Sequence, residues 1–216
     1  MLECGAPGDE RQRRLRASAD TGGARTTIDF PGGENAALEE LSVVARLEVL
    51  VAPRVTLFAG AGSIVGGTVH VDGEEHQMHP GWLATAGVSW LAVGETARRP
   101  FVLASFVLGY ASAHTTQQPQ GDSAASSYRV GWRAGDGRLG LAVGKSFGFA
   151  RPYAVARAFG GPVYWQLGGQ SLTGTDAHHY QLGAGVALSL PAHVDVAVEA
   201  VPLGEQAVVL GVGYAF

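Results

Sequence analysis

The chain has 216 residues, of which 32 are glycine, about 15% where ~7% is usual. Charged residues make up only 16%, and 19 acids against 15 bases leave a net charge of −4, which excludes the basic footprint of a nucleic-acid binder. The single cysteine, Cys4, excludes a disulfide scaffold, a hydrophobic share of 46% excludes disorder, and no apolar run reaches the roughly 18 residues of a spanning helix. These bounds leave one domain of about 190–200 residues, either a soluble all-β protein or a membrane barrel.

Residues 1–20 differ from the rest. The charged stretch Glu10–Arg16 has no apolar segment behind it, so 1–20 reads as a solvated polar tail rather than a signal peptide, and 21–216 as the folded domain. From there the sequence alternates with period two, the signature of strands. The expected strands are 22–31, 40–51, 54–65, 80–93, 100–112, 138–147, 152–167, 178–190, 194–202 and 206–216. The first rests on Thr26, Ile28 and Phe30 against Thr27 and Asp29. In the second, Leu41, Val43, Ala45, Leu47 and Val49 oppose Ser42, Arg46 and Glu48. Trp82, Ala84, Ala86, Val88 and Trp90 oppose Thr85, Gly87 and Ser89 in the fourth, and Leu139, Leu141 and Val143 oppose Arg138, Gly140 and Gly144 in the sixth. Tyr128–Ala134 belongs either to an extra hairpin closed by Asp136-Gly137 or to an extension of a strand. Gly160-Gly161-Pro162 should bulge or kink 152–167. In the last strand Val208, Leu210, Val212, Tyr214 and Phe216 alternate with Val209, Gly211, Gly213 and Ala215.

The second face decides the environment. A soluble barrel would set Lys, Glu and Asp there; here it carries mainly Gly, Ala, Ser and Thr, which suit the crowded inside of a narrow barrel whose large apolar residues face lipid. The connections alternate in length, with short turns at Ala52–Arg54, Gly94–Arg99, Gly148–Arg151 and Pro191–His193 and longer polar segments at Pro31–Glu39, Gly66–His79, Ala113–Gly137 and Gly168–Ala177. The sequence therefore specifies an all-β, antiparallel up-and-down transmembrane β-barrel of about ten strands, with eight and twelve as alternatives.

The terminal Phe216, with Tyr214, Val212 and apolar residues at every second position before them, resembles the C-terminal signature of bacterial outer-membrane β-barrel proteins. The resemblance implies an outer-membrane location, contact with outer-membrane lipids and lipopolysaccharide, and reading of the last strand by the barrel-assembly machinery. It implies no single activity, since small members include anchors, adhesins, lipid-modifying enzymes and narrow pores.

Chemical motifs are few. Gly144-Lys145-Ser146-Phe147-Gly148 fits a G-x-S-x-G elbow, but a turn into another strand follows where a helix is required. His70, His76 and His79, with Asp72, Glu74 and Glu75, form the densest metal-type cluster, yet a hairpin turning on Asp72-Gly73 sends His70 and His76 to opposite faces, so a solvated loop is expected and no metal or other cofactor. Asp176, His178 and His179 near an outer rim would suit a surface hydrolase. Parity sends Asp29, Arg46, Glu48, Arg138, Arg157, His179, Asp195 and Glu199 into the lumen, three Arg against four carboxylates, a set that can pair internally and plug the barrel. The expected function is a small, non-enzymatic outer-membrane barrel with a polar, largely plugged lumen and outer loops free for a partner the sequence does not name. The alternatives are a narrow porin, for which the Gly-rich wall would leave room, and an outer-leaflet hydrolase.

Overall fold

The computed structural model describes residues 14–31, 33–71, 73–117, 128–167 and 170–216; Cys4 and Asp72 lie outside them. Among the described residues, twelve strands form one antiparallel sheet: β1 (Leu15–Asp29), β2 (Asn35–Ala52), β3 (Val55–Val71), β4 (Glu74–Val93), β5 (Phe101–Gln117), β6 (Tyr128–Gly144), β7 (Ala150–Gly160), β8 (Pro162–Leu167), β9 (Gln170–Asp176), β10 (Tyr180–Leu190), β11 (Val194–Gly204) and β12 (Gln206–Ala215). Ten of them, β1–β7 and β10–β12, close a barrel. The seam joins β12 to β1, from Arg16↔Ala215 to Arg25↔Gln206. The start of β1 and the end of β12 thus lie at one rim, with the short turns.

Beyond the opposite rim the sheet continues with fewer strands. β7 stops at Gly160, and β8 takes its place beside the upper part of β6, pairing Ala134↔Val163 and Trp132↔Trp165. β9 joins β1 through Ile28↔Asp176 and Asp29↔Thr175. The ring at this level is β1–β2–β3–β4–β5–β6–β8–β9, an eight-stranded head on a ten-stranded barrel. Gly160-Gly161-Pro162 makes the kink, and a Cβ on Gly161 would collide with the Gly135 carbonyl, so the crossing needs glycine.

Two kinds of wall follow from two environments. In the barrel, Leu41, Leu47, Leu57, Trp82, Trp90, Leu108, Leu139, Leu182, Val198 and Leu210 point outward and are exposed. From Trp82 to Trp90 along β4 is about 26 Å at ~3.3 Å per residue, or roughly 20 Å of height at a tilt of ~40°, close to the ~25 Å apolar band of outer-membrane barrels. In the head the phase inverts: Ile28, Leu38, Ile64, Val69, Met78, Trp132 and Trp165 point inward and form one buried cluster, while Arg25, Glu39 and Glu75 face out. Irregularities in register between Leu41 and Ser42 and between His79 and Trp82 lie at the boundary, where a residue without a partner switches the face presented.

Several expectations change. β1 starts at Leu15, so Leu15–Asp20 belong to the barrel and not to a tail. The long polar segments are largely strand: 35–39, 66–71, 74–79 and 113–117 are paired within the head. Tyr128–Ala134 extends β6, which passes straight through Asp136-Gly137.

Candidate functional site

The interior of the barrel is the site to consider. Small residues on its wall are matched by large ones from neighbouring strands. A Cβ on Gly87 would strike the Phe58 ring, one on Gly185 the Tyr153 hydroxyl, and one on Gly144 would come within 2.6 Å of the Phe101 ring. The glycines therefore do not widen the lumen; they admit aromatic side chains.

Near the rim where β1 begins and β12 ends, Arg16 lies between Glu48 at 3.4 Å and Asp195 at 3.6 Å. Arg46 is buried with its guanidinium 4.9 Å from the Phe58 ring centre, and Asp20 sits inside beside Arg16 and Arg46. At mid-height Arg157 meets Glu199 at 2.7 Å and donates to the Gln181 side-chain oxygen at 3.2 Å, while the Tyr153 hydroxyl donates to Glu199 at 3.3 Å. Below the head, Arg138 bonds Asp136 and reaches Glu205 at 3.2 Å, stacked 4.7 Å from the Phe159 ring. Glu40, Asp176 and these groups line a cavity of about 250 Å³ whose roof is Ile28, Leu38, Trp132 and Val163.

Above this polar layer the head is filled. Trp165 is 2% exposed, and its indole N–H donates to the Thr115 hydroxyl at 2.8 Å. Its ring lies 6.0 Å from Phe30 and 5.4 Å, edge on, from His76. Asp176, in β9 above the apolar band, accepts a hydrogen bond from Thr26 at 3.0 Å; burial and then the nearby Glu205 push its carboxyl up to about 6.

Of the residues placed in the lumen by parity, Arg46, Glu48, Arg138, Arg157, Asp195 and Glu199 are there. Asp29 and His179 are exposed instead, because Asp29 falls on the odd, outward face of β1 and His179 lies in the link between β9 and β10. Parity missed Arg16, Asp20, Glu40, Asp136 and Glu205. Arg16 and Asp20 share the even phase of Ile28 and Phe30, so extending that phase backward would have found them.

The other motifs fall at separate places in the structure. His70 is exposed opposite Glu75, His76 is buried opposite Val69, and the His79 ring bonds the Thr116 hydroxyl; among the described residues no three metal-type ligands converge. The Ser146 hydroxyl donates to Glu95 at 2.7 Å and accepts from Arg151 at 3.0 Å, which ties two turns together. His178 and His179 are both exposed, and Asp176 is held by Thr26.

No family model matches the chain, and no curated protein matches it in sequence. Solved structures do match its fold. The translocator domain of the autotransporter NalP from Neisseria meningitidis aligns with a TM-score of 0.57 and 14% identity, covering 96% of this chain and 90% of that one. The outer membrane protease OmpT from Escherichia coli gives 0.55 and 11%, covering 94% and 97%. The beta domain of the Bordetella autotransporter BrkA gives 0.51 and 14%, covering 94% and 100%. At such identities the likeness is one of fold: a closed, antiparallel outer-membrane β-barrel.

Proposed function

We propose that this chain is a non-enzymatic outer-membrane barrel that conducts no solute and displays a rigid β-sheet head at the cell surface for an interaction partner. The observation that carries the reading is the passage from ten strands to eight. An eight-stranded ring encloses a space that side chains just fill, and here Trp165, Ile28, Ile64 and Val69 fill it at 0–2% exposure. A solute entering along the axis of the head would have to cross that apolar packing.

In this reading the head lies outside, and the start of β1, the end of β12 and the short turns face the periplasm. The exposed, outward Val212, Tyr214 and Phe216 then form the strand end read during assembly, and the apolar band meets outer-membrane lipids and lipopolysaccharide. The paired strands of the head, rather than mobile loops, are the surface offered to a partner. The cavity above Arg157 favours one second reading, a narrow porin. Liposome swelling in small sugars separates the two: the closed barrel should leave permeation at the level of protein-free vesicles, and size-dependent swelling would favour the porin.

A further inference from the structure

The rim opposite the head carries a collar of positive charge. Arg14 precedes β1, Arg54 lies in the β2–β3 turn, Arg98 and Arg99 in the β4–β5 turn, and all four are exposed. Lys145, in the β6–β7 turn, donates to the Ala97 carbonyl at 2.6 Å. The basic groups thus occupy β1 and three turns in succession around the barrel instead of a single patch.

Negative charge at this rim is scarce and engaged. Among the described side chains there, outside the lumen, the acid is Glu95. It accepts 2.7 Å hydrogen bonds from both the Ser146 amide and the Ser146 hydroxyl. Slight burial pushes its carboxyl up, but those bonds, with Arg151 and Lys145 nearby, outweigh it and hold the group below the usual carboxylate range. The same contacts fix the β4–β5 turn against the β6–β7 turn, and the Arg99 amide closes the loop by donating to Thr96. The two arginines are therefore presented from a braced turn. The head leans the other way, with Asp29, Glu34, Glu39, Glu74 and Glu75 exposed against Arg129, Arg133 and Arg25, the last paired to Glu39.

At the same rim stand exposed Trp90 and Phe216 on the strands and exposed Phe147 and Phe149 in the β6–β7 turn. Aromatic rings with guanidinium groups beside them form the two layers of a membrane interface, one level with the acyl boundary and the other with the headgroups. From this arrangement we infer that the collar binds anionic phospholipids of the inner leaflet, with Arg14, Arg54, Arg98 and Arg99 meeting their phosphates. An acidic soluble protein would need one contiguous patch facing away from the bilayer, whereas these groups are spread along the rim from β1 to β7 beside the lipid-facing rings.

The inference rests on the chain being a membrane barrel, not on its lumen being closed, so a conducting barrel would leave it intact. The test is electron spin resonance of spin-labelled phosphatidylglycerol and phosphatidylcholine around the refolded full chain in phosphatidylcholine bilayers. The expected result is about tenfold preference for phosphatidylglycerol, weakened by salt, lost in R14Q/R54Q/R98Q/R99Q and kept in R25Q/R129Q at the head. An unheated gel confirms that each variant is folded. Equal association of the two lipids, or a preference that survives the fourfold change, or one lost in R25Q/R129Q, would overturn the proposal.

Discussion

Arg157→Met isolates the contribution of the lumenal ion pairs. Arg157 and Glu199 are 2.7 Å apart with side chains only 8% and 3% exposed. Without the guanidinium, Glu199 keeps the Tyr153 hydroxyl as a partner but loses its counter-charge. Removing one member of a buried pair costs on the order of 3–5 kcal/mol, because the remaining charge stays desolvated. Arg25 and Glu39 supply the comparison, 3.3 Å apart but 64% and 49% exposed. Solvent screens that pair to about 0–1 kcal/mol. Urea unfolding from lipid vesicles, followed by tryptophan fluorescence and by the unheated gel band, should therefore place R157M about 2 kcal/mol or more below R25Q. R157M/E199M should recover most of the loss, since two apolar side chains leave no stranded charge. If R157M and R25Q fall within 1 kcal/mol of each other, the lumenal pairs are hydrated and hold nothing together.

Trp165→Ala should cost about 3–5 kcal/mol through the cavity it leaves, and hydrogen exchange should speed up at Trp132 and Thr115, its cross-strand neighbour and hydrogen-bond partner, before it does in the barrel. Val198→Arg puts a charge on the lipid face and should cost roughly 2–4 kcal/mol, read by the same urea titration. The Asp176 carboxyl titrates near 6 in the folded head against an ordinary 3.8. The folded state thus holds the proton more tightly than the unfolded state, so this contribution is present below the ordinary value and is lost as pH rises through about 6. Exchange at β9 amides, corrected for intrinsic rates, should be slower at pH 4 than at pH 7.5, and D176N should abolish the difference.

The barrel was legible where lipid wrote a strong pattern. Large outward residues such as Leu41, Leu47, Trp82, Trp90, Leu139 and Leu210 mark β2, β4, β6 and β12 without ambiguity. β1 carries Ala17, Ala19, Thr21 and Gly23 on its lipid face, too small to register, and Arg16 and Asp20 on the other, so its first part resembles a solvated tail. The head reads as loops in the sequence because the pattern changes phase at the membrane boundary. Val130 and Trp132 face inward on β6, whereas Leu139 and Leu141 on the same strand face lipid. A period-two search that demands one continuous phase stops at that inversion; water on one side and lipid on the other make the inversion necessary. The lumen was half legible for the same reason. Arg46, Glu48, Arg138, Arg157, Asp195 and Glu199 lie on strands that were recognised, while Glu205 reaches the lumen from a turn, where parity has no force.

Single-channel recording of the unmodified chain in a planar bilayer tests the central claim most directly. Trp165, Ile28 and Ile64 close the head above the paired charges of Arg138 and Arg157, so no steady ion-conducting level should be seen over long recordings. Stable, repeated openings of uniform size would contradict the closed head and establish a continuous path through the barrel.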